Sequence, residues 1–190
     1  MKTGRAAAIV VAVLLASAVV AAQEAKGKGR PGGPVKDEVK TLLAAADDLY
    51  VAKKYDLAEQ AYLKVLEKEP KNAQTLMSIG QCYQSRGDPA KALEWYGKID
   101  PATVDDPTVL YNIGTDYYNN SRFEKALTYY RKAVDLRKDF ADGLYQLGLT
   151  ELNLQNNAEA AAAFESYLKI DPDSARAAQV KAFLDYLKKK

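Results

Sequence analysis

From residue 39 onward the apolar positions of this chain return every 34 residues. The stretch LYNIGTDYYNNSRFEKALTYY (residues 110–130) is matched 34 residues earlier by LMSIGQCYQSRGDPAKALEWY and 34 residues later by LYQLGLTELNLQNNAEAAAAF. One column is apolar throughout (Leu42, Leu76, Leu110, Leu144), and three residues on come Ala45, Ile79, Ile113 and Leu147. The next column is small: Ala46, Gly80, Gly114 and Gly148. Apolar residues at i, i+3 and i+7 form one stripe, so each unit opens with an amphipathic helix. A second stripe joins Ala58, Ala92, Ala126 and Ala160 to an aromatic four positions beyond (Tyr62, Tyr96, Tyr130, Phe164) and predicts a second helix. The breaks AKKYD, SRGDP, NNSRF and QNNAE are short enough to join the two helices as an antiparallel pair.

Cutting after Glu38 gives units 39–72, 73–106, 107–140 and 141–174 with no insertion. One helix pair has too little core to stand alone, whereas stacked pairs share one, so the pattern predicts an all-α solenoid. Asn72, Asp106 and Ser174 stand at unit ends as N-cap candidates, and Pro107 follows as a first-turn proline. DPATVDDP (residues 100–107) predicts that the second helix of the second unit stops early, near Ile99. Residues 175–190 carry Ala177, Val180, Leu184 and Leu187 on one face. Lys181 and Asp185 fall where another unit would need apolar residues, which predicts a solvated capping helix with a basic tail.

The unit length, the Gly/Ala column, the Ala column and the Tyr/Phe column resemble the tetratricopeptide repeat, in four tandem copies over residues 39–174. There are departures. The proline near the repeat's end is kept at Pro70 and Pro172 but replaced by Val104 and Lys138. Glu151 stands where the other units have Leu49, Tyr83 and Tyr117. The resemblance implies a concave face lined by the first helix of each pair, and a role in binding peptides or proteins.

That implication directs attention to the first-helix positions left over after packing. They are Leu43, Asp47 and Tyr50; Gln74, Met77, Ser78, Gln81 and Gln84; Thr108, Tyr111, Asn112, Thr115 and Tyr118; and Tyr145, Gln146, Leu149 and Asn153. Tyr111, Thr115 and Tyr118 lie at i, i+4 and i+7 and share a face. Tyr117 and Tyr130 are read as packing residues, while Tyr111 and Tyr118 are not required by the fold. A neutral groove of Tyr, Asn, Gln, Met and Leu suits an extended peptide or a partner helix. Some tetratricopeptide domains clamp a partner's C-terminal carboxylates with Lys, Arg and Asn. These groove positions carry almost no Lys or Arg, so that subclass is not expected.

Composition narrows the chemistry. There is no His, which removes the commonest general base and metal ligand, and one Cys, which makes neither an internal disulfide nor a Cys-based zinc site. Cys82 is expected to be a small buried apolar residue. The pairs Asp47–Asp48 and Asp105–Asp106 have no partner base or ligand set. Neither a nucleophile–base pair nor a cofactor motif is present, so the expectation is no enzyme, no cofactor and no metal. The sequon Asn119–Ser121 falls in a helix–helix turn.

Residues 1–22 read as a secretory signal peptide: Lys2 and Arg5, then an uncharged apolar run, then small residues before Gln23. Cleavage is expected after Ala22 or after Ala18, the alternative being an uncleaved anchor through residues 6–22. Residues 23–36, QEAKGKGRPGGPVK, read as a flexible linker. Between residues 37 and 187 there are 18 basic and 24 acidic residues, a mildly acidic body that argues against a nucleic-acid groove. The expected protein is an exported, periplasmic or secreted module holding a peptide or partner protein, as a scaffold or assembly factor in the bacterial envelope. The alternative is a self-associating structural repeat protein with no peptide ligand.

Overall fold

The computed structural model describes residues 34–189, and the segments read as signal peptide and as most of the linker lie outside them. The described residues form helices α1 (Pro34–Val51), α2 (Tyr55–Lys68), α3 (Ala73–Ser85), α4 (Pro89–Tyr96), α5 (Pro107–Asn119), α6 (Phe123–Leu136), α7 (Ala141–Asn153), α8 (Asn157–Ile170) and α9 (Ala177–Leu187), with a 3-10 turn at Pro101–Thr103. They fall into two compact units, one ending at Ile99 and the other starting at Asp100. The first holds α1–α4, the second α5–α9. Helix α1 starts inside the segment read as linker. Proline suits a first turn, where its missing N–H has no partner to lose, and Asp37 places negative charge at the same end.

Each pair packs through the columns seen in the sequence. In the first unit Ala46, Leu49, Ala58, Ala61, Tyr62, Ile79 and Cys82 form one core cluster. In the second, Leu144, Ala160, Phe164, Tyr167, Val180 and Leu184 form another. The small column exists because the aromatic of the second helix lies close against it. A Cβ on Gly148 would meet Phe164 at 2.5 Å and one on Gly114 would meet Tyr130 at 2.9 Å, both inside contact distance. Gly80 is closer still to Tyr96.

The turn inside each pair is the same structure four times. The N–H groups of Lys54, Asp88, Arg122 and Asn156 bond the carbonyls of Leu49, Tyr83, Tyr117 and Glu151. Those of Lys53, Gly87, Ser121 and Gln155 bond the carbonyls of Tyr50, Gln84, Tyr118 and Leu152. This double closure is a Schellman motif, and its C′ residue must be left-handed. Accordingly φ is 58° at Lys53, 79° at Gly87, 58° at Ser121 and 61° at Gln155.

Two expected caps form and one does not. The Asn72 side chain accepts the Thr75 N–H at 2.9 Å and Asp106 accepts the Thr108 N–H at 2.7 Å. Asp88, ahead of Pro89, caps α4 in the same way through Lys91 at 3.1 Å. Ser174 is not an N-cap. Helix α9 starts three residues later, and the Ser174 hydroxyl instead bonds Tyr167 Oη at 2.7 Å and donates to the Asp171 carbonyl. Helix α4 stops at Tyr96, three residues before the expected Ile99. Asp100 is extended before Pro101 and folds its own side chain onto Ala102 N–H, which ends helical pairing there.

Candidate peptide-binding face

The positions expected to face a groove lie on α1 and α3 in the first unit and on α5 and α7 in the second. Within the first, Asp47 is exposed but accepts the Tyr62 hydroxyl at 2.6 Å. That bond, together with burial as the larger cause, holds the Tyr62 phenol well above the ordinary value. Tyr50 shares a hydrogen bond with Ser85 Oγ at 3.2 Å and its ring lies 5.4 Å from Tyr55. Leu43, Gln81 and Gln84 are half-buried, and Gln74 is exposed. Met77 and Ser78 are buried and present little surface.

The second unit carries more of the expected face. Asn112 and Thr108 are exposed; Tyr111, Thr115, Tyr118, Tyr145, Gln146 and Leu149 are half-buried; Asn153 is exposed. The structure joins two of these directly: Asn153 Nδ2 donates to Tyr118 Oη at 3.0 Å, linking α5 to α7. Tyr145 Oη donates to Gln179 Oε1 at 3.0 Å, linking α7 to α9. Burial raises the Tyr145 phenol while the Arg176 charge beside it pulls the other way.

Tyr111 and Tyr118, expected not to be required by the fold, both make ring contacts within it. The Tyr111 ring lies 5.8 Å from Tyr130 and 5.2 Å from Phe140, and Tyr118 sits edge-on to Phe123 at 5.3 Å. Both residues remain half-buried, so each ring packs against neighbours and keeps some exposed surface. Thr115 likewise has two tasks, since its hydroxyl accepts from Tyr130 at 3.1 Å and donates to the Tyr111 carbonyl.

Two charged residues have partners that the sequence pattern does not show. Glu151, in the column of Leu49, Tyr83 and Tyr117, is 2% exposed. Its carboxylate accepts Arg131 Nη2 at 2.6 Å and Nε at 3.2 Å, and Asn156 Nδ2 at 2.8 Å. The other is Arg176, which stands in the 34-residue column of Gln74, Thr108 and Asp142. It pairs with Asp142, and that hydrogen bond is the largest cause raising its pKa. Cys82 is fully buried, and burial pushes its thiol up to about 12. Asn119 of the sequon is exposed as the last residue of α5.

This arrangement is an all-α helix-pair repeat with a tyrosine- and amide-rich row on its first helices. The sequence profile of the tetratricopeptide repeat family matches residues 43–107 and 111–175, and the chain belongs to that family. The Caenorhabditis elegans protein Tetratricopeptide repeat protein 8 is 27% identical over 121 residues, 63% of this chain. The match spans about a quarter of that relative's length (24%). Among solved structures, MamA is similar at 25% identity with a TM-score of 0.62, covering 80% of this chain and 86% of MamA. A tetratricopeptide repeat protein from Parabacteroides merdae is similar at 25% identity with a TM-score of 0.65, covering 80% of this chain and 60% of its own. YrrB, described as a TPR protein with an unusual peptide-binding site, shares the fold at 22% identity with a TM-score of 0.67, covering 79% of this chain and 78% of its own. The family and the fold make the chain an α-solenoid protein-interaction module of a generally non-catalytic type.

Proposed function

We propose that this protein holds a peptide or partner protein on the groove-facing rows of its first helices, as an exported scaffold or assembly factor of the bacterial envelope. The observation that carries the reading is the surplus on that face. Tyr111 and Tyr118 pack against neighbouring rings yet keep partial exposure, beside the exposed amide of Asn112. Tyrosine supplies contact area at low entropic cost, and an exposed amide pairs with both N–H and C=O of an extended backbone. Export rests on the signal pattern of residues 1–22.

The test is affinity capture from envelope extract with the full chain and with an Asn112→Ala/Tyr118→Ala variant, checked by circular dichroism for an intact fold. A partner retained by the parent and lost by the variant supports the reading. A partner kept equally by both moves binding off this face. A concentration-dependent dimer with no captured partner favours the self-associating alternative. Export is checked separately by fusing residues 1–36 to alkaline phosphatase; an inactive fusion in a bacterial host counts against it.

A further inference from the structure

Helix α9 keeps the register of a first helix. Residues 34 positions beyond Asp142, Tyr145, Leu149 and Leu152 are Arg176, Gln179, Phe183 and Tyr186, spaced i, i+3, i+7 and i+10 on one face. The buried side of α9 is different: Ala177, Val180 and Leu184, of which the last two join the core of α7 and α8. The side that a partner helix of its own would cover carries Lys181, Ala182 and Asp185, all exposed. Capping therefore uses one side of α9 and leaves its groove-facing row in place. That row is tied to α7 by the Tyr145–Gln179 hydrogen bond and the Arg176–Asp142 pair, with the Arg176 guanidinium 5.0 Å from the Tyr145 ring. Phe183 stacks on Phe164 at 5.3 Å, and Tyr186 remains 52% exposed.

Resting on the groove reading above, we propose that the binding face continues onto α9, and that its occupant there is an extended peptide with an aromatic or branched side chain next to carboxylates. The apolar part seats on Phe183 and Tyr186. The charge preference follows from the rim at the C-terminal ends of these helices. Asn119, Asn153 and Gln155 are neutral and exposed, and the exposed Lys188 and Lys189 follow Tyr186. The Lys189 N–H bonds the Tyr186 carbonyl at 3.2 Å, which keeps both lysines within a turn of that ring. The acid of that turn, Asp185, lies on the side away from the row. A cationic rim beside an apolar strip favours an acidic, apolar segment and disfavours a basic one.

The test starts from a phage-displayed library of random linear peptides selected on the full chain. The affinity of a selected peptide is then measured by fluorescence anisotropy against full-chain variants whose fold is verified by circular dichroism. Selected peptides are expected to combine Phe, Tyr, Leu or Ile with Asp or Glu. Tyr186→Ala, and separately Lys188→Glu/Lys189→Glu, are each expected to weaken binding about tenfold, the size of one good interface contact. Weakening by Asn112→Ala with neither α9 variant having an effect overturns this inference and leaves the groove reading standing. Selection of basic peptides overturns the proposed chemistry. No enrichment at all overturns both.

Discussion

At the scale of single residues the tightest constraint is the close approach of the aromatic to the small column. Gly148→Ala is expected to cost about 1–3 kcal/mol, the usual range for overpacking, because Phe164 is fully buried and has no room to withdraw. Urea unfolding followed by circular dichroism measures it, and an unchanged midpoint would refute the close-contact account. Glu151 poses the opposite problem, a buried charge on a half-exposed partner. Arg131→Ala is expected to cost about 1–3 kcal/mol, less than for a fully buried pair because water reaches Arg131, which is 52% exposed. In a Glu151→Leu background the same change is expected to cost under about 0.5 kcal/mol, since no carboxylate is left to strand. The columns were legible because packing repeats with the chain. The hydroxyl pairings were not. Tyr62 meets Asp47, Tyr130 meets Thr115, and Phe164, which has no hydroxyl, is matched by Leu149 at the same spacing of 15. Reading Asp47 and Thr115 as groove residues by elimination missed the side of each that serves the core.

At the scale of the helix pair, the recurring Schellman turn sets a backbone demand that only one unit meets with glycine. A non-glycine residue in the left-handed region pays a steric penalty of about 1 kcal/mol or more, partly offset by glycine's greater freedom when unfolded. Lys53→Gly, Ser121→Gly and Gln155→Gly are therefore each expected to stabilise the protein by a few tenths to about 1 kcal/mol, whereas Gly87→Ala is expected to destabilise it by a similar amount. Thermal denaturation of the four variants side by side settles the sign, and a loss of stability in all three glycine variants would sink the argument. The breaks AKKYD, SRGDP, NNSRF and QNNAE share no residue type at this position, so their common geometry could not be read from composition. It follows from the spacing of two helices rather than from the turn's own preferences. The same logic explains Ser174. Its place in the 34-residue register matches Asn72 and Asp106, but the chain forms an extra turn after α8, and the helix it was expected to cap begins beyond it.

At the scale of the whole molecule, the tyrosines that pack the repeats make stability sensitive to alkali. Burial holds the phenols of Tyr62, Tyr129 and Tyr130 above the ordinary value of 10.0, and it pushes the Cys82 thiol from 9.0 to about 12. For such acids the folded state keeps a proton that the unfolded state has already released. The stabilisation is therefore complete below the unfolded values and is lost as pH rises through the raised folded ones. The melting temperature is expected to change little between about pH 7 and 8, begin to fall near about pH 9 as the unfolded Cys82 thiol ionises, and fall more steeply above about pH 10 as the phenols join it, each group contributing up to about 1.4 kcal/mol per pH unit. Absorbance at 295 nm on the same samples separates this from general charge repulsion. The buried phenols of Tyr62, Tyr129 and Tyr130 are expected to ionise only together with the loss of helical signal. Tyr130→Phe should make the alkaline fall shallower, because Phe164 shows that the column accepts a ring without a hydroxyl. If all 13 tyrosines titrated together while the helices remained intact, the buried phenols would not be coupled to folding. The aromatic column would then hold the repeats together by contact area alone.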